Sequence, residues 1–363
     1  MRLLKKSIRL RHLQEKRQKR TVRKELKPES RMNMEPFEIL GKILNESKRV
    51  VIFPHENVDG DAMGTASALC LGFRQQGIES FICIDEAIPA NLDFLESGCC
   101  TSDQEVVDSH TTALMVDCSS VSRIGNRKAA FLRAGTKLCI DHHGTREHDT
   151  EFDFLHVEAN SAACAELAFL LLKAMGITLN QQIAERIFAG LTTDTGNFQY
   201  SNTTARSHRI AAEIHQVPGF DSKKISSLLY ERNSFPAMKL SAMVVENARF
   251  ECDGKMVYSC VTMKMLEETG ALMNETDGIV QRLMSIKGVE TAIIFKEHSE
   301  NFVKVSMRAK SCVNVAEVAK KMGGGGHIRA AGCSIKDGLE KAVQAVTSAM
   351  KEQMKTDMEE SQR

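Results

Sequence analysis

The chain has 363 residues, 42% of them hydrophobic and 26% charged, an ordinary globular composition with length enough for two domains. Its net charge of +1 hides an asymmetry, because residues 1–31 carry 13 Lys and Arg against 3 Asp and Glu and leave the remainder with 35 basic and 44 acidic residues. The longest apolar run, Leu167–Leu172, falls far short of the roughly 20 residues a membrane span requires, and eleven cysteines with no Cys-x-x-Cys pair argue against disulfide or zinc scaffolds and for buried thiols in the cytoplasm.

In chain order, the basic segment 1–33 has two readings. It is a basic arm for RNA or a membrane surface, with Leu3, Leu4, Ile8, Leu10 and Leu13 as a patchy apolar stripe, or a disordered extension ahead of Met34. A helix follows from Phe37 to Asn45, then a buried strand Arg49–Phe53 ending in Pro54-His55. A helix starting near Asp61 and stopped by Gly77 shows an apolar face of Ala62, Ala66, Leu69, Cys70 and Phe73. Short apolar runs at 80–84, 112–116 and 136–140 alternate with helix-length stretches, and helical patterns cover 162–175 and 181–191. That alternation predicts an α/β fold with a parallel sheet over 34–218. Connector helices occupy 219–248, a smaller α+β domain 249–352 and a tail 353–363, with the active site expected in the cleft between the two domains.

Four elements carry acidic or histidine residues where strands of the first domain end or a loop follows a helix: His55-Glu-Asn-Val-Asp59-Gly-Asp61, Asp117, Asp141-His142-His143, and Asp194. Ligands of open parallel sheets bind beyond the carboxyl ends of the strands, so these elements can share one crevice. A single Asp in such a position is most often a helix cap or turn residue. The conjunction points further, because Asp59, Asp61, Asp117 and Asp194 together would repel unless cations were present. Carboxylates with imidazoles and no thiolate suit manganese, with magnesium or cobalt as substitutes. Two such divalent ions stabilise the attacking and leaving oxygens of an in-line displacement, which is phosphoester hydrolysis. Near the C-terminus, Gly323-Gly324-Gly325-Gly326-His327-Ile328-Arg329 is either an anion cradle or a glycine turn before a strand. Arg308, ending an apolar strand, suits a bidentate phosphate contact.

On these motifs, all four in order, the chain resembles the DHH phosphoesterase superfamily, and within it the nanoRNase and 3′-phosphoadenosine-5′-phosphate (pAp) phosphatase family, over roughly residues 35–352. The resemblance implies that His55, Asp59 and Asp117 hold one metal and Asp61, Asp117, His142 and Asp194 the other, with Asp117 bridging. It further implies that His143 contacts the substrate phosphate and that Asp141 orients a neighbouring imidazole. The glycine segment resembles the signature of the DHH-associated C-terminal domain, so Gly324, Gly325, Gly326, His327, Arg329 and Arg308 are expected to bind substrate. The implied substrates are short RNA oligonucleotides and pAp, with cyclic di-AMP or its linear dinucleotide as the alternative. No extended basic groove is visible in the acidic body, and no membrane partner is expected. A RecJ-like exonuclease would need more length, a pyrophosphatase a different second domain, and a non-catalytic nucleotide-binding regulator would not need intact metal motifs.

Overall fold

The computed structural model describes residues 35–144, 151–276 and 278–361; the basic segment 1–33 and both of its readings lie outside the described residues. Two compact units divide between Glu231 and Arg232, a point inside the stretch read as connector helices.

The first unit is a parallel sheet of β1 (Arg49–Phe53), β2 (Glu79–Cys83), β3 (Cys100–Thr101), β4 (Thr112–Val116), β5 (Thr136–Asp141) and β6 (Phe154–Val157), ordered β3-β2-β1-β4-β5-β6. Successive residues of the central strands feed opposite faces. Val50, Ile52, Leu114, Val116, Leu138 and Ile140 join one core, while Val51, Phe53, Ala113, Met115 and Cys139 join the other. Strands buried on both faces read as continuous apolar runs, which is why β1, β4 and β5 stand out in the sequence. The chain moves outward from β1 through β2 to β3 and then crosses back to place β4 on the other side of β1. The carboxyl ends of β1 and β4 therefore flank the point where the strand order reverses.

Four helices frame that point: α1 (Pro36–Asn45), α2 (Gly60–Gln75), α4 (Cys164–Ala174) and α5 (Gln181–Asp194), with the short α3 (Lys128–Arg133) between β4 and β5. The sequence suggested one apolar face for α2, but the helix is buried on nearly every side, polar Asp61, Thr65 and Ser67 included. Its second buried side lies against α5. A Cβ on Gly64 would meet the Arg186 carbonyl oxygen at 2.5 Å, and one on Gly190 would meet Asp61 Oδ1 at 2.8 Å. Glycine at both positions lets the two helices that carry Asp61 and Asp194 approach closely. Helices α6 (Ala205–Ile214) and α7 (Ser222–Tyr230) close the unit, and α6 opens on a capping box of Thr204 and Ser207 that the sequence reading passed over.

The second unit is a mixed sheet of β7 (Arg249–Glu251), β8 (Met256–Val261), β9 (Thr291–Ser299), β10 (Phe302–Ala309), β11 (Gly325–His327) and β12 (Ala330–Ile335), ordered β11-β12-β10-β9-β8-β7. Helices α8 (Phe235–Glu246), α9 (Met263–Thr269), α10 (Ile279–Met284), α11 (Val315–Lys321) and α12 (Leu339–Glu360) complete an α+β architecture. One boundary needs correction: the segment 353–363, read as a tail, is largely the end of α12. Met350 and Met354 are buried and Met358 packs beside them, one turn apart, so the apolar stripe continues. Asp357 also accepts the Asn314 amide at 2.7 Å.

Candidate metal centre

Each acidic residue of the candidate centre is delivered by a sheet or helix end. Strand β1 runs into buried His55, and the next four residues turn through Asn57 (φ 56°) to Asp59. Asp59 caps α2, its Oδ1 accepting the amides of Asp61 at 3.1 Å and Ala62 at 2.9 Å. The cap reading and the ligand reading of this residue are thus compatible, because Oδ2 remains 3.8 Å from His55 Nε2. Asp117 leaves β4 in a left-handed conformation (φ 59°), which Asp tolerates better than most residues. Asp194 is the last residue of α5.

Asp61 is fully buried and serves a second helix. Its carboxylate accepts the amides of Cys164 at 2.5 Å and Ala165 at 2.9 Å, at the start of α4, where no local side chain provides a cap. Thr65 adds a third hydrogen bond at 3.2 Å.

Among the described residues, three groups of side chains are close enough to share a cation: His55, Asp59 and Asp117; Asp61, His142 and Asp194; and Asp117, His142 and His143. His142 Nε2 stands 3.2 Å from Asp194, 3.3 Å from Asp117 and 3.7 Å from Asp61, while His55 Nε2 is 3.5 Å from Asp117. Donors about 2.0–2.2 Å from one ion at tetrahedral or octahedral angles stand about 3.0–3.5 Å apart, so most of this spacing is that of a coordination shell.

The imidazoles are turned for the task. His55 Nδ1 lies 2.8 Å from the Glu56 carbonyl and His142 Nδ1 lies 3.2 Å from that of Ser161. A carbonyl can only accept, so one proton stays on Nδ1 and Nε2 faces the carboxylates, its lone pair open to an ion once its own proton is released. His143 differs. Its Nδ1 is held at 2.6 Å by Asp141, which also takes the His143 amide at 3.1 Å. That nitrogen, although 3.7 Å from Asp117, is committed to Asp141.

The electrostatics call for positive charge. Burial disfavours ionisation of Asp117, yet the His142 and His55 imidazoles hold it below the usual carboxylate range. Burial is likewise overridden at the two imidazoles. Asp117 and Asp59 raise His55 to about 10, and Asp117 and Asp194 raise His142 to about 12. Asp61 is pushed well above its ordinary value by burial, then by Asp117 and Asp194; burial and the nearby Asp59 and Asp117 push Asp194 to about 6. The cluster gathers protons because it concentrates negative charge, and divalent cations neutralise the same charge. The donor set fits metal.

In the second unit, Arg308 on β10 pairs with Ala330 on β12, which pairs with His327 on β11, one row across the sheet. Arg329 sits in the turn between β11 and β12, its Nη1 on the Lys310 carbonyl at 2.6 Å, and Arg308 Nη1 lies 3.0 Å from the Met307 carbonyl. Of the two readings of the glycine run, the turn before a strand describes its first half, Gly323 lying in a turn (φ 74°), while Gly325 and Gly326 already belong to the edge strand β11. Gly326 (φ 141°) has no room for a Cβ, which would meet the Ala330 carbonyl oxygen at 2.6 Å, and Gly324 is crowded by Gly332 and Cys333. Gly325 faces open space. The sequence reading also missed Ser161, Cys164 and Ala165, which act through the backbone and so carry no residue-type signature.

A carboxylate and imidazole cluster at the switch point of a parallel sheet offers the donors that metal-assisted hydrolysis uses. The DHH family, N-terminal domain, matches residues 49–191 and the DHHA1 domain matches residues 253–356. The bifunctional oligoribonuclease and PAP phosphatase NrnA of Thermus thermophilus is 30% identical over 84% of this chain and 90% of its own length. The Bacillus subtilis protein of the same name is 29% identical over 79% and 89%. Among solved structures, an exopolyphosphatase-related protein from Bacteroides fragilis superposes with a TM-score of 0.81 at 23% identity, covering 87% of this chain and 95% of that one, a likeness of fold. The chain belongs to the DHH phosphoesterase superfamily, in the family of bifunctional oligoribonucleases and PAP phosphatases, and is a hydrolase. Among the described residues, no helix is long and apolar enough to cross a membrane.

Proposed function

We propose that the protein hydrolyses very short oligoribonucleotides to mononucleotides, and pAp to AMP and phosphate, with two divalent ions, manganese foremost. The observation that supports it best is that two groups of donors meet at one buried carboxylate, Asp117, 3.5 Å from His55 and 3.3 Å from His142. In this reading His55, Asp59 and Asp117 hold one ion, while Asp61, Asp117, His142 and Asp194 hold the other. The ions supply the charge neutralisation that an attack on phosphorus requires. His143, steadied by Asp141, contacts the substrate phosphate. Arg308, Arg329, His327 and the segment Gly324, Gly325, Gly326 hold the remote part of the substrate. The substrates follow the printed names of the relatives that the chain covers almost end to end. The cytoplasm is the compartment of this reading, because all eleven cysteines are unpaired thiols.

The test is hydrolysis of pAp, di- to decaribonucleotides and cyclic di-AMP side by side, after chelation and after return of Mn2+, Mg2+ or Co2+. Turnover of pAp and di- to tetranucleotides restored best by Mn2+ is expected. Full turnover after exhaustive chelation would sink the metal mechanism, and a clear preference for cyclic di-AMP would move the protein to the alternative substrate. Loading should release protons, because the metal-free imidazoles of His55 and His142 titrate at about 10 and about 12 and a ligand nitrogen must be deprotonated. Apparent Mn2+ affinity therefore rises from pH 6.5 to pH 8.5, measurable by calorimetry in buffers of different ionisation heat.

A further inference from the structure

The segment from Ser161 to Ala165 touches three of the proposed ligands without contributing a ligand atom. The Ser161 carbonyl holds His142 Nδ1 at 3.2 Å. The amides of Cys164 and Ala165 hold both oxygens of Asp61. The Ala162 carbonyl accepts from Asn202 Nδ2 at 3.0 Å, and the same Asn202 nitrogen reaches the Asp194 carbonyl at 3.0 Å. Asp61, His142 and Asp194 are one complete donor group, so this short stretch of backbone sets the place of all three. His55 and Asp59, at the neighbouring group, have no hydrogen bond to it among the described contacts.

What holds the segment is a fully buried carboxylate. Glu166 Oε2 accepts from the Ser161 hydroxyl at 3.0 Å and lies 3.4 Å from the Ala162 amide, while Oε1 accepts from the Ser207 hydroxyl at 2.6 Å. Its charge is met by Arg206, whose Nε lies 2.8 Å away and whose Nη1 reaches Glu158 at 2.6 Å. The Glu158 amide in turn donates to the Asp141 carbonyl at 2.9 Å, which returns the network to the strand end bearing His142. A buried acid with four donors, one of them a paired guanidinium, is costly to place and rigid once placed.

We propose that Glu166, braced by Arg206 and Ser207, is a positioning residue for the Asp61, His142 and Asp194 half of the centre. It acts through the 161–165 backbone and sets metal affinity there while leaving the His55 and Asp59 half unaffected. The proposal rests on the metal reading above. Partners that orient ligands without binding the ion typically govern about 10–100-fold of metal affinity.

The experiment titrates Mn2+ into the chelated full chain, following free Mn2+ by electron paramagnetic resonance, for the wild type, Glu166→Ala and Glu166→Gln. Glu166→Ala is expected to weaken one of two binding events by about 10-fold or more, with the other within twofold of wild type. Hydrolysis should be lost at limiting Mn2+ and recover at saturating Mn2+. Glu166→Gln retains volume and one acceptor, so a smaller loss in the same event, threefold or more, is expected, and it decides the matter if the alanine variant is not recovered folded. Unchanged Mn2+ binding in a folded variant whose melting temperature has dropped would show a merely structural role and overturn the proposal. No Mn2+ uptake by the wild type would overturn the metal reading itself, and this inference with it.

Discussion

The two units present their candidate residues in opposite ways. In the first, residues from His55 to Asp194 come from three strand ends and two helix ends, and several maintain the fold as well as the site. Asp59 caps α2 through one oxygen, and Asp61 caps α4 from a distance. In the second, Arg308, His327 and Arg329 belong to one end of three neighbouring strands, and glycines 324 and 326 are required by close backbone approach within that sheet. A site assembled from distant elements cannot lose a member without local rearrangement, whereas arginines on a finished sheet can be removed with little cost to it. Chemistry and scaffold are fused in one unit and separable in the other.

The largest effect should come from Asp117→Ala. That carboxylate faces both His55 and His142, so in the proposed reading its removal takes a ligand from each of the two ions. Hydrolysis of pAp should fall by about 10³-fold or more, since loss of an electrostatic centre of this kind exceeds that of a single hydrogen-bond donor. Circular dichroism should remain that of the wild type. Activity within tenfold of wild type would remove Asp117 from the shared position.

Next in size are Arg308→Ala and His327→Ala. Groups that hold a remote part of a substrate affect the natural substrate more than a small generic ester, by on the order of 10²-fold when positioning is lost. Both variants should lower kcat/KM for pAp and dinucleotides by about that factor, hydrolyse an aryl phosphodiester near the wild-type rate, and keep their metal content. Equal losses on the two substrate classes would break the division between the units.

What was legible in the sequence follows the same contrast. Strands β1, β4 and β5 feed apolar side chains to both faces and run into His55, Asp117 and Asp141, so their limits and the residues beyond them could be read directly. Strand β6 is short, partly exposed and without a continuous apolar run, and it was missed. Asp61 was legible as a candidate ligand but not as a distant helix cap, because that role depends on α4 arriving 103 residues later. The 161–165 support was illegible for a different reason: carbonyls and amides are present at every residue, and only the fold shows which ones face an imidazole or a carboxylate. In the second unit the glycine run signalled special backbone without saying whether an anion or a neighbouring strand required it.

The smallest effects test whether the ligands of the first unit divide between structural and purely chemical duty. Asp59 caps α2 with two hydrogen bonds, so Asp59→Ala should destabilise the chelated protein by about 1 kcal/mol, the usual cost of a lost N-cap. Asp194 lies at the opposite end of a helix, in its last turn, where the macrodipole is negative and disfavours a carboxylate. Its acid is held up at about 6, chiefly by burial, with Asp59 and Asp117 adding to the rise and His142 opposing it. A carboxyl raised in the folded state costs stability once ionised, with the cost appearing as pH rises above the unfolded value near 4 and complete above about 6. Asp194→Asn should therefore stabilise the chelated protein by about 0.3–1 kcal/mol at pH 7.5 and by almost nothing at pH 4. Urea unfolding of both variants at the two pH values, with metal removed, reads the difference. Opposite signs at pH 7.5 would mark Asp59 as part of the scaffold and Asp194 as a residue the fold alone does not favour, while equal destabilisation by both would mean that α5 depends on its terminal carboxylate in a way its geometry does not show.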